Sequence, residues 1–382
     1  MNISIIVGGR FHAFDLAREL NNNNHLNQLI STYPKFFIKK NYNINKEKVE
    51  SIYLKEIVQR SFINKIYNFD NKLIDYFDIR ASKLIKFDDL DILIGWSSFS
   101  LKSFLVAKKY KCIKILERGS THIEFQDKIV NEEYKIHKIK PKPISKHIIE
   151  KEKKEYEIAD FITVPTEFAK KTFLEKGFSE NKIIKIPYGV SLSEFNSKNK
   201  KKKYTKFRII YTGSVSVRKG IIYLLSAFTQ LNLKDSELLI IGNIDDEIQH
   251  LIKKFRSNKD IIFKNSVKQS ELSEYYLTSN LFVTCSIEEG LSMVQLQAMS
   301  CGLPLICTAN SGGEEIIKND VDGYVIPIRD LDTLKKKILF LYNNQSICNK
   351  MGKLAQLKVQ RDFSWESYGK NVIATYKNLL RK

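Results

Sequence analysis

The chain has 382 residues, a formal net charge of +20 and five cysteines. This length predicts two domains, or three at most, and a core large enough for an ordinary α/β enzyme. The cysteines are odd in number, lie mostly in apolar contexts and form no CxxC pair, which argues against a disulfide framework or zinc site and favours reduced thiols in the cytoplasm.

The positive charge raises nucleic acid and anionic membranes as partners. Lys, Asn and Ile are abundant throughout, as at Asn21–Asn24 and Lys200–Lys203, so the charge indicates a general bias of composition. No motif with the aromatic and glycine spacing of RNA-binding domains occurs, and we expect no nucleic-acid partner. Without a run of about 18 apolar residues or a signal-like start, we expect neither secretion nor a membrane span. Peripheral attraction to the inner face of an anionic membrane remains an alternative.

The chain begins with a predicted strand, a glycine turn and a helix. Ile3–Val7 is apolar, Gly8 and Gly9 follow, and apolar residues between Ala13 and Leu20 recur at helical spacing. Adjacent glycines let a backbone approach a ligand closely, and a helix N-terminus favours an anion. The turn is not G-x-G-x-x-G, so a dinucleotide fingerprint fits poorly. We nominate Gly8 and Gly9 as ligand contacts, against the alternative of a turn without a ligand.

Further apolar runs alternate with amphipathic helical stretches, which predicts a parallel sheet. The runs are Leu26–Thr32, Asp91–Trp96, Cys112–Leu116, Phe161–Val164 and Ile183–Ile186. Between them, the span Ile57–Ile85 predicts one or two helices, which either line an acceptor cleft or only pack.

A histidine follows the third of these runs. Glu117 to His122 lies at the C-terminal end of a predicted strand and contains a Gly turn, so His122 is a candidate for proton or anion chemistry at neutral pH. The alternative is a surface histidine.

Two adjacent cationic residues lie before a predicted helix in the second half of the chain. After the predicted strand Phe207–Tyr211 come Gly213, Arg218 and Lys219, then a predicted helix from Ile221. Arg and Lys at a helix start suit a diphosphate, because charge-assisted bonds to phosphate oxygens are strong. Exposed basic residues without a ligand are the alternative.

The stretch Leu281–Ile306 predicts a strand, a loop, a helix and a strand. Glu288 and Glu289 therefore lie where a strand ends and a helix begins, which is where open α/β sheets hold ligands. Gln297 falls two helical turns beyond Glu289, so both side chains can reach one bound molecule. The alternative is an ordinary loop with a solvated glutamate pair.

The sequence of residues 289–304, E-G-L-S-M-V-Q-L-Q-A-M-S-C-G-L-P, resembles the signature of retaining GT-B glycosyltransferases of the family-four, or group 1, class. The resemblance spans nearly the whole chain and is strongest from Tyr156 to Gly323. It implies an α/β protein of two Rossmann-like domains with parallel sheets facing a central cleft. We predict an acceptor-side domain at 1–192, a linker at 193–206, a nucleotide-sugar domain at 207–365 and, at 366–382, a helix crossing back.

The resemblance also implies roles for single residues. Glu289 and His122 contact the donor sugar, Lys219 binds the phosphates, and Gln297 replaces the glutamate that contacts the ribose. Arg218 is a substitute for an arginine that often follows the glycine, where this chain has Ser214. The remaining donor-binding candidates are Gly213, Val267, Gly290, Leu291, Ser292 and Met293.

The resemblance implies transfer of a sugar from a nucleotide-diphosphate sugar to a glycan or glycolipid hydroxyl, in cell-surface synthesis. We expect no metal and no further cofactor, because cations and helix ends stabilise the leaving diphosphate in this class. The D-x-D triplets at Asp320–Asp322 and Asp330–Asp332 raise the possibility of a metal that holds the nucleotide sugar. Both lie in predicted surface turns, which argues against such a site. The alternatives are an epimerase or hydrolase on the same fold, or an inactive donor-binding protein.

Overall fold

The computed structural model describes residues 1–59, 61, 69–195 and 205–381, which contain two parallel β-sheets. The first sheet contains β1 (Ile3–Val7), β2 (Leu26–Ser31), β3 (Val49–Ser51), β4 (Ile92–Trp96), β5 (Ile113–Glu117), β6 (Phe161–Val164) and β7 (Ile183–Lys185). The second contains β8 (Phe207–Thr212), β9 (Ser236–Ile241), β10 (Ile261–Lys264), β11 (Leu281–Thr284), β12 (Leu305–Thr308) and β13 (Gly323–Ile326). Their strand orders are β3-β2-β1-β4-β5-β6-β7 and β10-β9-β8-β11-β12-β13.

Helices connect the strands and cover both sheets. Those of the first half are α1 (Ala13–Asn22), α2 (Lys35–Tyr42), α3 (Leu54–Gln59), α4 (Asp70–Ser82), α5 (Leu101–Ala107), α6 (Ile123–Ile136), α7 (Lys146–Ile158) and α8 (Glu167–Leu174). Those of the second half are α9 (Ile221–Leu231), α10 (Gln249–Ile252), α11 (Gln269–Leu277), α12 (Met293–Ser300), α13 (Gly313–Ile316), α14 (Leu331–Asn343), α15 (Gln345–Asp362) and α16 (Trp365–Leu379).

The strands form where the sequence is continuously apolar. Parallel strands covered by helices on both faces cannot alternate apolar and polar residues, and β1 and β9 are accordingly buried along their whole lengths. The predicted α/β class with two Rossmann-like domains is confirmed. The structure adds β3, which is only three residues long, and the strands β10 and β13.

The final helix lies on the first domain. Helix α16 packs on α1, and a Cβ atom added to Gly369 would lie 2.6 Å from Cβ of Glu19. Just before this helix, the Val190 amide donates to the Phe363 carbonyl at 2.8 Å. Most of the predicted linker, residues 196–204, lies outside the described residues, as do 60 and 62–68 of the predicted helical span.

The two domains approach each other closely at two glycines. A Cβ atom on Gly290 would lie 2.2 Å from the carbonyl oxygen of Gly119 and 2.9 Å from Cγ of Pro165. The Thr166 hydroxyl donates to the Gly290 carbonyl at 3.1 Å. The loops that follow β5 and β11 therefore meet backbone to backbone.

Gly290→Ala should weaken this contact. Since the atoms in the way are backbone, we expect a loss of about 1–3 kcal/mol of stability and a larger radius of gyration in solution scattering. Gly177→Ala is the control: this glycine has a φ of +84° but no other atom near its missing Cβ. That variant should lose about 1 kcal/mol without a change in radius. Equal radii for both variants would contradict the prediction.

Candidate active site

A cavity of about 690 Å³ lies between the domains, where the C-terminal ends of strands from both sheets face each other. The second domain lines it with Gly213, Arg218 and Lys219 and with the loop from Glu289 to Val294. The first domain lines it with Phe11, His12, Trp96, Arg118 and Tyr188, among others. Eight predicted site residues are thereby brought together: Gly213, Arg218, Lys219, Glu289, Gly290, Leu291, Ser292 and Met293.

Lys219 and Glu289 form a buried ion pair in the wall of this cavity. Lys219 Nζ contacts Glu289 Oε1, and the Ser286 hydroxyl donates to Glu289 Oε2 at 3.2 Å. Burial lowers the pKa of Lys219, with Glu289 acting in the opposite direction. Burial also opposes ionisation of Glu289, but Lys219 and Arg218 outweigh it and lower the pKa of that carboxyl. This part of the cavity wall thus holds opposite charges, and an entering anionic ligand can take the place of Glu289 as the partner of Lys219.

The turn before α9 places both cations. Gly220, with a φ of +58°, begins the helix, and a Cβ atom there would lie 2.1 Å from the Cys285 carbonyl oxygen. This contact holds the turn against the end of β11. Arg218 Nη1 donates to the Glu288 carbonyl at 2.9 Å, while the side chain remains 34% exposed toward the cavity. Two cations on adjacent residues can bind a diphosphate.

Glu288 has a different task from Glu289. Its side chain is fully buried, and Oε1 accepts hydrogen bonds from the Ser120 hydroxyl at 2.5 Å and the Thr121 hydroxyl at 2.7 Å. Its Oε2 lies 3.6 Å from Arg218 Nη1. The carboxylate therefore joins the loop after β5 in one domain to a cavity cation in the other. Sequence reasoning placed both glutamates in the ligand loop and nominated only Glu289 as a site residue, whereas the role of Glu288 is visible only in the structure.

His12 is a cavity residue that the sequence analysis passed over. Its Nε2 lies 2.9 Å from Glu117 Oε1, and its ring lies against Tyr188 with 4.1 Å between centroids. The available signal was its position, since it directly follows the glycine turn at the end of β1. Its fixed orientation makes it a candidate for contact with a ligand hydroxyl.

Gly8 and Gly9 are not among the residues that line the cavity, and their role as ligand contacts stays a prediction. A Cβ atom on Gly8 would lie 2.0 Å from Cδ1 of Phe99, and one on Gly9 would lie 2.8 Å from Cε2 of Phe11. Both aromatic residues line the cavity. The glycines therefore make room for the rings that form the wall.

His122 is buried and is not among the residues that line the cavity. It is the N-cap of α6, where Nδ1 accepts from the Glu124 amide at 3.2 Å. Its buried ring lies 5.1 Å from the rings of Tyr156 and Phe173. Its contact with the donor sugar stays a prediction. Burial lowers its pKa to about 4.

Gln297 lines a neighbouring cavity of about 360 Å³. The hydroxyl of Tyr276 donates to Gln297 Oε1 at 3.3 Å, which leaves the amide NH₂ group available to a ligand. Val267 is partly buried against the core and lines neither cavity, and its role in donor binding stays a prediction.

The remaining candidates for metal or redox chemistry are occupied by structural contacts. Asp322 accepts from the Lys318 amide at 2.7 Å, and Asp330 caps α14 by accepting from the Thr333 amide at 2.9 Å. Within the part of the chain that the structure describes, no group of three His, Cys, Asp or Glu side chains is arranged to hold a metal ion. All five cysteines are buried. No described helix combines the length and apolarity needed to cross a membrane.

Comparison with known families identifies the second half of the chain. Residues 193–358 match the family described as Glycosyl transferases group 1. These residues are a group 1 glycosyltransferase domain. An uncharacterized glycosyltransferase of Methanocaldococcus jannaschii is 25% identical over 311 residues, or 77% of this chain and 76% of the relative. The capsular polysaccharide biosynthesis glycosyltransferase CapM of Staphylococcus aureus is 25% identical over 241 residues, or 58% of this chain and 62% of CapM.

Solved structures extend the likeness to both domains. Sucrose-phosphate synthase from Thermosynechococcus elongatus superposes with a TM-score of 0.73 at 18% identity, covering 100% of this chain and 99% of that one. Anabaena HepE, solved with UDP-glucose, gives 0.72 at 13% identity, covering 99% of this chain and 100% of HepE. The chain is a glycosyltransferase with the GT-B fold.

His122→Asn should keep the helix cap while removing the titrating ring. Because the folded-state pKa of His122 is lowered, the unfolded chain binds its proton first as pH falls. Wild-type stability should therefore fall between about pH 6.5 and about pH 4, and the variant should lose less over this range. Urea midpoints at several pH values measure the effect. Turnover should stay within about threefold of wild type if the ring has no part in the reaction, and a collapse of turnover would support the catalytic assignment of His122.

Proposed function

We propose that this glycosyltransferase moves a sugar from a nucleotide-diphosphate sugar to a hydroxyl of a glycan or glycolipid, with retention of anomeric configuration. The observation that carries the proposal is the corner formed by Arg218, Lys219 and Glu289 inside the interdomain cavity. Breaking the bond between sugar and phosphate develops negative charge on the diphosphate, and preorganised cations stabilise that charge.

The ion pair suggests how the donor is held. In this scheme the diphosphate takes Lys219 and Arg218 as partners, and Glu289 then accepts a hydrogen bond from a sugar hydroxyl. Gln297, in the neighbouring cavity, donates to the ribose. The acceptor oxygen bonds to the anomeric carbon from the face that the phosphate leaves, as the sugar–phosphate bond breaks and the hydroxyl proton passes to the departing diphosphate, which gives retention. No metal is needed in this scheme, because the cations come from the chain.

A uridine nucleotide is the donor class to test first, since HepE was solved with UDP-glucose and shares the fold over its whole length. The acceptor is proposed by analogy with CapM, whose name assigns it to capsular polysaccharide biosynthesis. We therefore propose a role in cell-surface glycan synthesis at the cytoplasmic face of the membrane.

The donor is identified by thermal shift with UDP-, GDP- and ADP-sugars, followed by product analysis with an acceptor panel. Lys219→Ala should then cut turnover by about two to three orders of magnitude, as expected for a lost transition-state charge contact. Lys185→Ala is the matched control, because Lys185 pairs with Glu315 at 2.8 Å outside the cavity. Near-normal turnover in Lys219→Ala would make the phosphate assignment wrong.

A second variant separates chemistry from stability. Lys219→Ala leaves Glu289 buried without its partner, which is costly in itself. Lys219→Ala/Glu289→Gln removes both charges, so it should regain thermal stability but not turnover. Donor turnover without any acceptor would favour an epimerase or hydrolase, and donor binding without turnover would favour an inactive binding protein.

Membrane attachment by charge is tested with vesicles. Because exposed charges are screened over about 10 Å at 0.1 M salt, binding to anionic vesicles should weaken sharply as ionic strength rises. The net charge of +20 motivates the experiment. Equal binding to neutral and anionic vesicles would rule out an electrostatic attachment.

A further inference from the structure

Phe11 combines two features that packing does not explain. Its φ is +38°, in the left-handed region that bulky side chains rarely adopt, and its side chain is 57% exposed. A strained conformation persists when the surroundings enforce it, and such residues cluster at ligand sites. Because more than half of the residue is exposed to solvent, burial does not offset the unfavourable backbone conformation.

Contacts on either side of Phe11 hold the turn. Arg10 Nε donates to the Tyr42 hydroxyl at 3.0 Å, and His12 Nε2 lies 2.9 Å from Glu117 Oε1. Gly9 lacks the Cβ atom that would collide with the ring of Phe11. The ring is thus presented by a turn fixed at both neighbours.

The ring lies where the two cavities of the cleft adjoin. Phe11 lines the larger cavity, with Arg218 and Lys219, and also the smaller one, with Gln297. Met293, from the second domain, lines both cavities as well. A ligand that occupies both cavities therefore lies near both an aromatic ring and a polarisable thioether.

We propose that Phe11 is a donor-recognition residue whose ring packs against the nucleoside of the nucleotide sugar. This inference rests on the proposed function, which puts the diphosphate at Arg218 and Lys219 and the ribose at Gln297. A nucleoside offers a flat base, and aromatic rings stack on bases regardless of their identity. The strained turn then keeps the ring oriented before the donor arrives, which reduces the ordering cost of binding.

The test is calorimetric titration of UDP and of inorganic pyrophosphate into wild type, Phe11→Ala and Phe11→Tyr. Phe11→Ala should bind UDP about tenfold more weakly, as expected for a lost stacking contact, and Phe11→Tyr should bind it within about twofold of wild type. Pyrophosphate has no nucleoside, so its affinity should be the same for all three proteins.

Phe36→Ala is the matched control, since Phe36 is also an exposed phenylalanine, at 66%, but lines neither cavity. It should bind UDP as wild type does. Thermal unfolding checks the fold: Phe11→Gly, which accepts the left-handed backbone, should melt above Phe11→Ala.

The outcomes separate the two proposals. Wild type that binds none of UDP, GDP and ADP contradicts the proposed function. Wild type that binds UDP, with an unchanged affinity in Phe11→Ala, overturns the role of Phe11 alone. A Phe11→Ala enzyme with normal UDP affinity and a raised acceptor KM also overturns it, because the ring would then serve the acceptor.

Discussion

The buried carboxylate of Glu288 joins the two domains at the point where the cleft forms. It accepts hydrogen bonds from Ser120 and Thr121 of one domain while lying beside Arg218 of the other. A buried charge that loses a partner is strongly destabilising, so this contact favours one relative position of the two loops. Gly119 and Gly290, which touch at the same place, allow that approach. The cavity exists in its present form because these loops meet.

The next residue along the chain faces the opposite way. Glu289 pairs with Lys219 in the cavity wall, so two consecutive carboxylates divide structure and chemistry between them. The pair balances charge in the free enzyme and leaves the cations positioned for an anionic ligand. The proposed donor chemistry follows from this exchange of partners. The first domain contributes mostly aromatic and hydrogen-bonding side chains to the same cavity.

Local pattern was enough to find β8, β11 and β12 and the two ligand loops of the second domain. The strands are apolar runs buried on both faces, and such runs are visible in any window of the sequence. Lys219 and Glu289 were nominated because each lies between a strand end and a helix start, where α/β sheets hold ligands, and both line the cavity. The strand β3 was missed because three residues are too few to show a periodicity.

The two histidines show what local pattern leaves undecided. His12 and His122 each follow a glycine-containing turn at the end of a strand, and each precedes a helix. Only the fold separates them: Tyr156 and Phe173, from helices later in the chain, enclose His122, while Tyr188 and Glu117 orient His12 toward the cleft. The sequence by itself determined the α/β class and the loops that carry charge, because these depend on neighbours in the chain. Which side chains face the cleft was decided by the tertiary structure, because burial and hydrogen-bond partners come from residues distant in sequence.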